Sequence, residues 1–351
     1  MLLVLGIGAV IWGLGHLLGA SKTARLYMLG LLYVIVLMIQ VALPEGHGLR
    51  QLTGGSPALW LILGGFVALG LAYALVLRRV KARAQAGEAA RAADVPAKPG
   101  RMSDSELERY ARHIVLRELG GPGQKKLRGA KVLVVGAGGL GAPALQYLAA
   151  AGVGTIGVID DDLVENANLQ RQVIHTDARI GMPKVFSAQA AMEAQNPHVT
   201  VKPYHRRMDP GIAEDLIADY DLILDGTDDT DTRYLVNRVA AAQGKPLVSG
   251  ALSQWEGQIS VFDPAHGAPC YQCVFPVAAA PGLAPSCAQA GVLGPLPGVI
   301  GAMMAVETVK LLAGAGQPLR GEMLIYDALW GETRKIAVKP RSDCPVCGGG
   351  S

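Results

Sequence analysis

Three apolar runs, residues 2–20, 26–43 and 58–77, dominate the first 78 positions, and none contains Lys, Arg, Asp or Glu. Each is close to the roughly 20 residues that a helix needs to cross a hydrocarbon core. The pattern predicts a transmembrane anchor of about three helices over residues 1–78. A cleavable signal peptide would explain the first run alone, but the Met1 end lacks a basic region and two further runs follow. Lys22 and Arg25 lie between the first two runs, Arg50 is the one cation of the next loop, and Arg78, Arg79, Lys81 and Arg83 follow the third. Cations accumulate on the cytoplasmic side, so the N-terminus is expected outside and the rest of the chain in the cytoplasm, attached to the inner membrane. Residues 79–102 read as a basic, Pro-containing cytoplasmic linker, a tether from about residue 82. Its cations either set the topology or also touch anionic lipid.

At Ser103 the period changes. Ser103-x-x-Glu106 is a capping box, and Leu107, Tyr110, Ile114 and Val115 follow at helical spacing. Lys131-Val-Leu-Val-Val135 is a buried-type strand that runs into Gly136-Ala-Gly-Gly-Leu-Gly141 and an Ala/Leu-rich helix to about Ala151; a second strand, residues 155–159, ends at Asp160. Helical and strand-like segments then alternate through strands at 199–203, 222–224 and 246–249. That rhythm predicts a mainly parallel sheet with helices on both faces. Residues 258–262 and 323–326 suit antiparallel strands. The apolar helix expected at 299–312 carries Glu307 and Lys310, which favours a core or dimer-interface helix over a fourth span. The expected architecture is α/β: a Rossmann-like, mainly parallel sheet continued by antiparallel strands over residues 103–351, preceded by the anchor.

Composition fits this division. Half of the 351 residues are apolar and 17% are charged, with a mean hydropathy of +0.29. That is too oily for an ordinary soluble enzyme and too charged for membrane throughout. The formal charge of +3 is the balance of +7 up to Arg101 and −4 from Met102 onward. The apolar content and only five Cys exclude disorder, collagen and a secreted disulfide scaffold. The acidic larger part argues against a nucleic-acid partner.

The glycine turn carries the first chemistry. Gly136, Gly138, Gly139 and Gly141 allow a tight turn and close phosphate approach, the following helix offers unpaired N–H groups, and Asp160, about 20 residues on, is placed to meet a ribose. An NAD-dependent oxidoreductase would explain this much. It leaves Asn168-Leu-Gln-Arg-Gln172, Lys184 and Asp228-Asp229 unused. Arg171 and Lys184 suit the charge of a polyphosphate, and Asp228, beyond a strand's C-terminal end, suits Mg²⁺. A second signal is independent of the first: Cys270-x-x-Cys273 and Cys344-x-x-Cys347 supply four thiolates for a closed tetrahedral Zn²⁺ site, with redox pairs as the alternative. Cys287 stands alone in a Gly/Pro-rich stretch.

Gly136-Ala-Gly-Gly-Leu-Gly141, Asp160, Asn168-Leu-Gln-Arg-Gln172, Lys184 and Thr227-Asp228 together resemble the ATP site of the MoeB/ThiF family, prokaryotic relatives of ubiquitin-activating enzymes. The similarity covers about residues 107–348. The resemblance implies that Asp160 holds the ATP ribose, that Asn168, Arg171 and Lys184 meet the phosphates with Gln172 also in the ATP site, and that Asp228 binds Mg²⁺. It implies further that Arg112, in Arg109-Tyr-Ala-Arg112, reaches the site of a partner protomer, and hence a homodimer. Asp229 departs from the family, which usually has Asn there, and adds negative charge beside the phosphates. In ThiF-like members the counterpart of Cys287 links covalently to the carrier protein, whereas in MoeB-like members it is dispensable; both remain open here.

The implied reaction is adenylation of the C-terminal Gly-Gly carboxylate of a small ubiquitin-like sulfur-carrier protein, of the molybdopterin-synthase or thiamine type, with a separate protein as sulfur donor. The competing expectations are a tRNA-modifying relative that activates a small carboxylate, the NAD oxidoreductase, and a non-catalytic membrane scaffold.

Overall fold

The computed structural model describes residues 2–93, 101–278 and 291–348, in two compact units, Met1–Gly100 and Arg101–Ser351. Cys287 and linker residues 94–100 lie outside the described residues. In the first unit, turn residues rather than the ends of the apolar runs set the helix limits. α1 (Leu2–Leu17) stops before Gly19, whose φ of 71° leaves the helical region. α2 (Lys22–Ala42) begins ahead of its apolar run because Ser21 caps it, its Oγ accepting from the Ala24 amide at 3.2 Å. A short α3 (Gly48–Thr53) and the long α4 (Pro57–Ala93) follow. The stretch from residue 82 that reads as a tether is helical as far as Ala93. Its sequence is rich in Ala, Arg, Lys and Glu, all strong helix formers.

Buried polar groups join these helices. Gln40 donates to Thr53 Oγ1 at 2.7 Å and to the Arg50 carbonyl at 2.8 Å, while Trp60 Nε1 donates to the Thr53 carbonyl at 3.1 Å and the Tyr33 hydroxyl to the Trp60 carbonyl at 2.6 Å. Among the described residues three helices are long and apolar enough to cross a membrane: Lys22–Ala42, Pro57–Lys81 and Pro295–Ala313. α1 is equally apolar, but its 16 residues span only ~24 Å. Pro295–Ala313 belongs to the second unit and is half buried there.

The second unit opens with the capping box: Ser103 Oγ accepts from the Glu106 amide at 3.2 Å and Glu106 Oε2 accepts from the Ser103 amide at 2.8 Å. One continuous helix is expected from that pattern. The chain instead forms α5 (Asp104–Arg109) and α6 (Ala111–Ile114), because Tyr110 leaves helical geometry and is buried with its hydroxyl accepting from Asn196 Nδ2 at 2.8 Å. After α7 (Gly120–Gly129) come β1 (Lys131–Val135), α8 (Gly141–Ala151), β2 (Thr155–Ile159), α9 (Lys184–Gln195), β3 (Thr200–Tyr204), α10 (Pro210–Ala218), β4 (Leu222–Asp225) and α11 (Thr230–Ala242). The chain continues through β5 (Leu247–Ser253), β6 (Glu256–Phe262), α12 (Tyr271–Val274), α13 (Pro295–Ala313), β7 (Glu322–Asp327) and β8 (Glu332–Ala337).

All eight strands form one sheet in the order β3-β2-β1-β4-β5-β6-β7-β8, parallel through β5 and antiparallel beyond it. Alternation along β1 shows why it needs cover on both sides. Val132 and Val134 join Leu145, Val185 and Ile300 in one apolar layer, and Leu133 and Val135 join Ile217 and Val236 in the other. α13 is therefore a core helix, with Ile300 and Met304 seated against Gly250 and Gly257 of the sheet, where a side chain would collide. β8 was not expected, since all six of its residues are exposed and show no alternation.

Candidate functional site

The order 3-2-1-4 reverses direction between β1 and β4, and open parallel sheets bind ligands at such a switch point. A cleft of about 750 Å³ lies there. Its floor is the turn from β1 into α8. Gly136 has φ +93°, and a Cβ on it would stand 3.1 Å from the Gly226 carbonyl; a Cβ on Gly141 would overlap the Gly136 carbonyl. The glycines thus let two backbone turns close against each other.

Ala137, within the turn, is held at both polar ends. Its N–H donates to Asp160 Oδ2 at 2.7 Å, and its carbonyl accepts from His175 Nε2 at 3.0 Å. Burial pushes the Asp160 carboxyl above its ordinary pKa, against the pull of Lys184 and of the Ala137 and Asp162 amides. His175 is buried, and since a carbonyl only accepts, its Nε2 carries the proton while Nδ1 accepts from Ser187 Oγ at 2.9 Å. Burial pushes the His175 pKa below its ordinary value, although the Ala137 bond opposes this; Lys184 and Arg179 add to the depression. Its neutral form therefore belongs to the folded state.

The sign of the consequence follows from linkage. Below about pH 6.5 the unfolded chain takes up a proton that the folded site resists, so stability falls as pH falls through that value. Thermal unfolding of wild type and His175→Gln is expected to differ most near pH 8 and to converge as the pH drops below about 6.5. A difference that is constant with pH would reject the neutral, buried assignment.

The wall beyond β2 carries the expected polar groups. Arg171 Nη2 donates to Asn168 Oδ1 at 3.1 Å, Lys184 is buried with Nζ 2.6 Å from Asp162 Oδ2, and Gln172 is buried with Oε1 unpartnered. The opposite wall is the turn after β4, where Asp228 is exposed to the cleft with no protein partner among the described residues. Its neighbour Asp229 caps α11, Oδ2 accepting from the Thr232 amide at 2.9 Å and hydroxyl at 2.6 Å, and pairs through Oδ1 with Arg207 at 2.8 Å. Burial opposes ionisation of Asp229, but the Thr232 donors and Arg207 hold its carboxyl below the ordinary value.

Sequence reasoning missed what anchors this turn. Asp225, the last residue of β4, is fully buried; it accepts from the Thr227 amide at 3.1 Å and Ser249 Oγ at 2.9 Å and lies 3.3 Å from Arg233 Nη1. Arg233 in turn donates to the carbonyls of Thr227 and Gly250. Both backbone polar groups of Thr227, immediately before Asp228, are thus clamped by one buried ion pair. Arg206 and Arg207, which also line the cleft, were missed too. Their place just beyond β3 was the available signal, since strand ends at this edge face the ligand.

Gly136, Gly138, Gly139, Asp160, Asn168, Arg171, Gln172, Lys184, Asp228 and Asp229 all line the cleft, and Gly141 closes the turn beneath it. Arg112 does not line it; the residue is exposed on α6. The cysteines meet elsewhere. Cys270 and Cys273 at α12 lie against Cys344 and Cys347, with Sγ separations of 3.8, 3.6 and 3.3 Å for the pairs 270–273, 270–344 and 273–347. A tetrahedron with Zn–S of about 2.3 Å has edges of roughly 3.8 Å, so the four sulfurs fit a zinc ion with little movement.

The fold and the cleft define the class: a Rossmann-like α/β protein whose glycine turn opens a helix at the switch point of the sheet. Within that class the chain belongs to the ThiF family, whose sequence model matches residues 110–346. It is 49% identical over 252 residues to a sulfur carrier protein adenylyltransferase of Thermus thermophilus, covering 71% of this chain and 93% of that protein. It is 48% identical over 246 residues to the SAMP-activating enzyme E1 of Haloferax volcanii, covering 70% and 90%. Among solved structures, MccB of E. coli with MccA-N7isoAsn superposes with a TM-score of 0.61 over 71% of this chain and 76% of that one, at 20% identity, which is a likeness of fold.

Proposed function

We propose that this protein is a membrane-anchored, ATP-dependent adenylyltransferase that activates the C-terminal Gly-Gly carboxylate of a ubiquitin-like sulfur-carrier protein. The observation that carries the reading is the convergence of the glycine turn, Asp160, Arg171, Lys184 and the cleft-exposed Asp228 in one cleft, in a chain 49% identical to a sulfur carrier protein adenylyltransferase. In this reading ATP lies over the glycine turn with its ribose at Asp160. Asn168, Arg171, Gln172 and Lys184 take the phosphates, Arg171 and Lys184 exchanging their present partners Asn168 and Asp162 for phosphate oxygens.

The carrier carboxylate attacks the α-phosphorus, one P–O bond forms, the bond to the β-phosphate breaks, and pyrophosphate leaves. No general base is required, because a carboxylate is already ionised at pH 7. The residues position the groups and neutralise charge that builds on the leaving pyrophosphate. Asp228 would hold Mg²⁺, which supplies further charge neutralisation. The proposed arrangement adds Arg112 from a partner protomer of a homodimer, a structural Zn²⁺ on the four cysteines, and a separate sulfur donor. Residues 1–78 serve as the anchor, 79–102 as the linker and 103–351 as the catalytic domain in the cytoplasm. Cys287 is the candidate for any covalent link to the carrier.

Pyrophosphate exchange tests the reaction. Radiolabelled pyrophosphate should enter ATP only when a carrier ending in Gly-Gly is present. Exchange supported equally well by a carrier lacking the terminal glycine would overturn the assignment of substrate, and hydride transfer to NAD without exchange would overturn the reaction.

A further inference from the structure

Two acidic residues in succession at the mouth of a polyphosphate site present an electrostatic difficulty. Asp228 and Asp229 both line the cleft, and a nucleotide triphosphate would add several negative charges beside them. The structure separates their fates. Asp229 is engaged by the Thr232 donors on one oxygen and by Arg207 Nη2 at 2.8 Å on the other. Arg207 comes from the segment between β3 and α10, across the cleft mouth from the turn after β4. The neighbouring cations are directed elsewhere: Arg206 lies 3.1 Å from Asp209, Arg233 is turned onto Asp225, and Lys184 is with Asp162.

We infer that Arg207 and Asp229 form a charge-compensating pair, in which Arg207 is a positioning residue that cancels the acid standing where the resembling family usually has Asn. The pair leaves Asp228 as the carboxylate on its turn without a partner among the described residues, and keeps the second acid from repelling the phosphates. It also links the two loops that border the cleft. Because both side chains are substantially exposed, the pair adds little to folding. Its effect falls on nucleotide affinity. The inference rests on the ATP reading above.

A double-mutant cycle on the full chain in detergent tests it, with ATP affinity read by calorimetry and KM for ATP read by pyrophosphate exchange. Arg207→Met is expected to weaken ATP about fivefold, the effect of one uncompensated charge at close range in a largely aqueous setting. Adding Asp229→Asn, which keeps a side-chain oxygen to cap α11, should restore affinity to within about twofold of wild type. The Arg207→Met defect should also shrink in ~1 M salt, where the screening length is about 3 Å. A double variant as weak as Arg207→Met would overturn the inference, since Arg207 would then act on ATP directly or through structure alone. Normal affinity in Arg207→Met would overturn it as well. A wild type that binds no ATP would reject the adenylation reading and this pair's role with it.

Discussion

Replacing Asp228 by alanine is expected to abolish carrier-dependent pyrophosphate exchange, a loss of about 10³-fold or more, while Tm stays within about 2 °C of wild type. The two halves of this expectation have different origins in the structure. The Asp228 side chain is exposed to the cleft and has no protein partner among the described residues, so its removal leaves none of them unsatisfied. The backbone that presents it is held independently by Asp225 and Arg233 through Thr227. Asp225→Ala should behave in the opposite way. Taking one partner from a buried ion pair costs on the order of 3–5 kcal/mol, so that variant should lose both exchange and stability. Measuring exchange and thermal unfolding on the two variants side by side separates a residue that acts on the reaction from one that holds it in place. An Asp228→Ala protein that still exchanges would show that the metal lies elsewhere.

The second large effect concerns the cysteines. Cys344→Ser is expected to release one zinc per chain and to lower Tm by about 10 °C or more. α12 is only four residues long, and its cysteines meet Cys344 and Cys347 across 74 positions of sequence. On the α12 side the junction is also tied to the second apolar layer by Tyr271, Val274 and Phe275 and by the Tyr271 amide donating to Asn237 Oδ1, whereas the 344–347 side joins it through the cysteine cluster, with Val346 packed against it. Where a site forms only in the folded chain, the free energy of metal binding is free energy of folding. Zinc content by mass spectrometry and Tm by calorimetry, before and after chelation, provide the check. A wild type without stoichiometric zinc, or a variant with unchanged Tm, would reject the structural role.

Much of the architecture was legible because it rests on short-range periodicity. The runs of β1 and β2, the glycine turn after β1 and the capping box at Ser103 are all read within a few residues. Elsewhere the local pattern left conformation open. The composition after residue 82 reads as a tether without fixing its conformation; Ala, Lys, Arg and Glu are what a helix prefers, and α4 runs on to Ala93. β8 left no trace in the pattern because it buries neither face; only its pairing with β7 makes it a strand.

The site shows the same division. Sequence alone determined which residue types were available, since glycines in a fixed spacing, an acid after the second strand and two Cys-x-x-Cys pairs each imply their chemistry without coordinates. Tertiary structure decided which of them are free to act. The family resemblance separates Asp228 from Asp229 by position, but only the fold shows that Asp229 caps α11 and meets Arg207 while Asp228 faces the cleft with no partner among the described residues. Asp225, His175 and Arg233 gave no signal because their roles depend on partners that the fold brings together over as many as 38 positions of sequence. Periodicity and spacing are properties of neighbouring residues, whereas a carboxylate's charge, partners and exposure are set by whatever the fold places beside it.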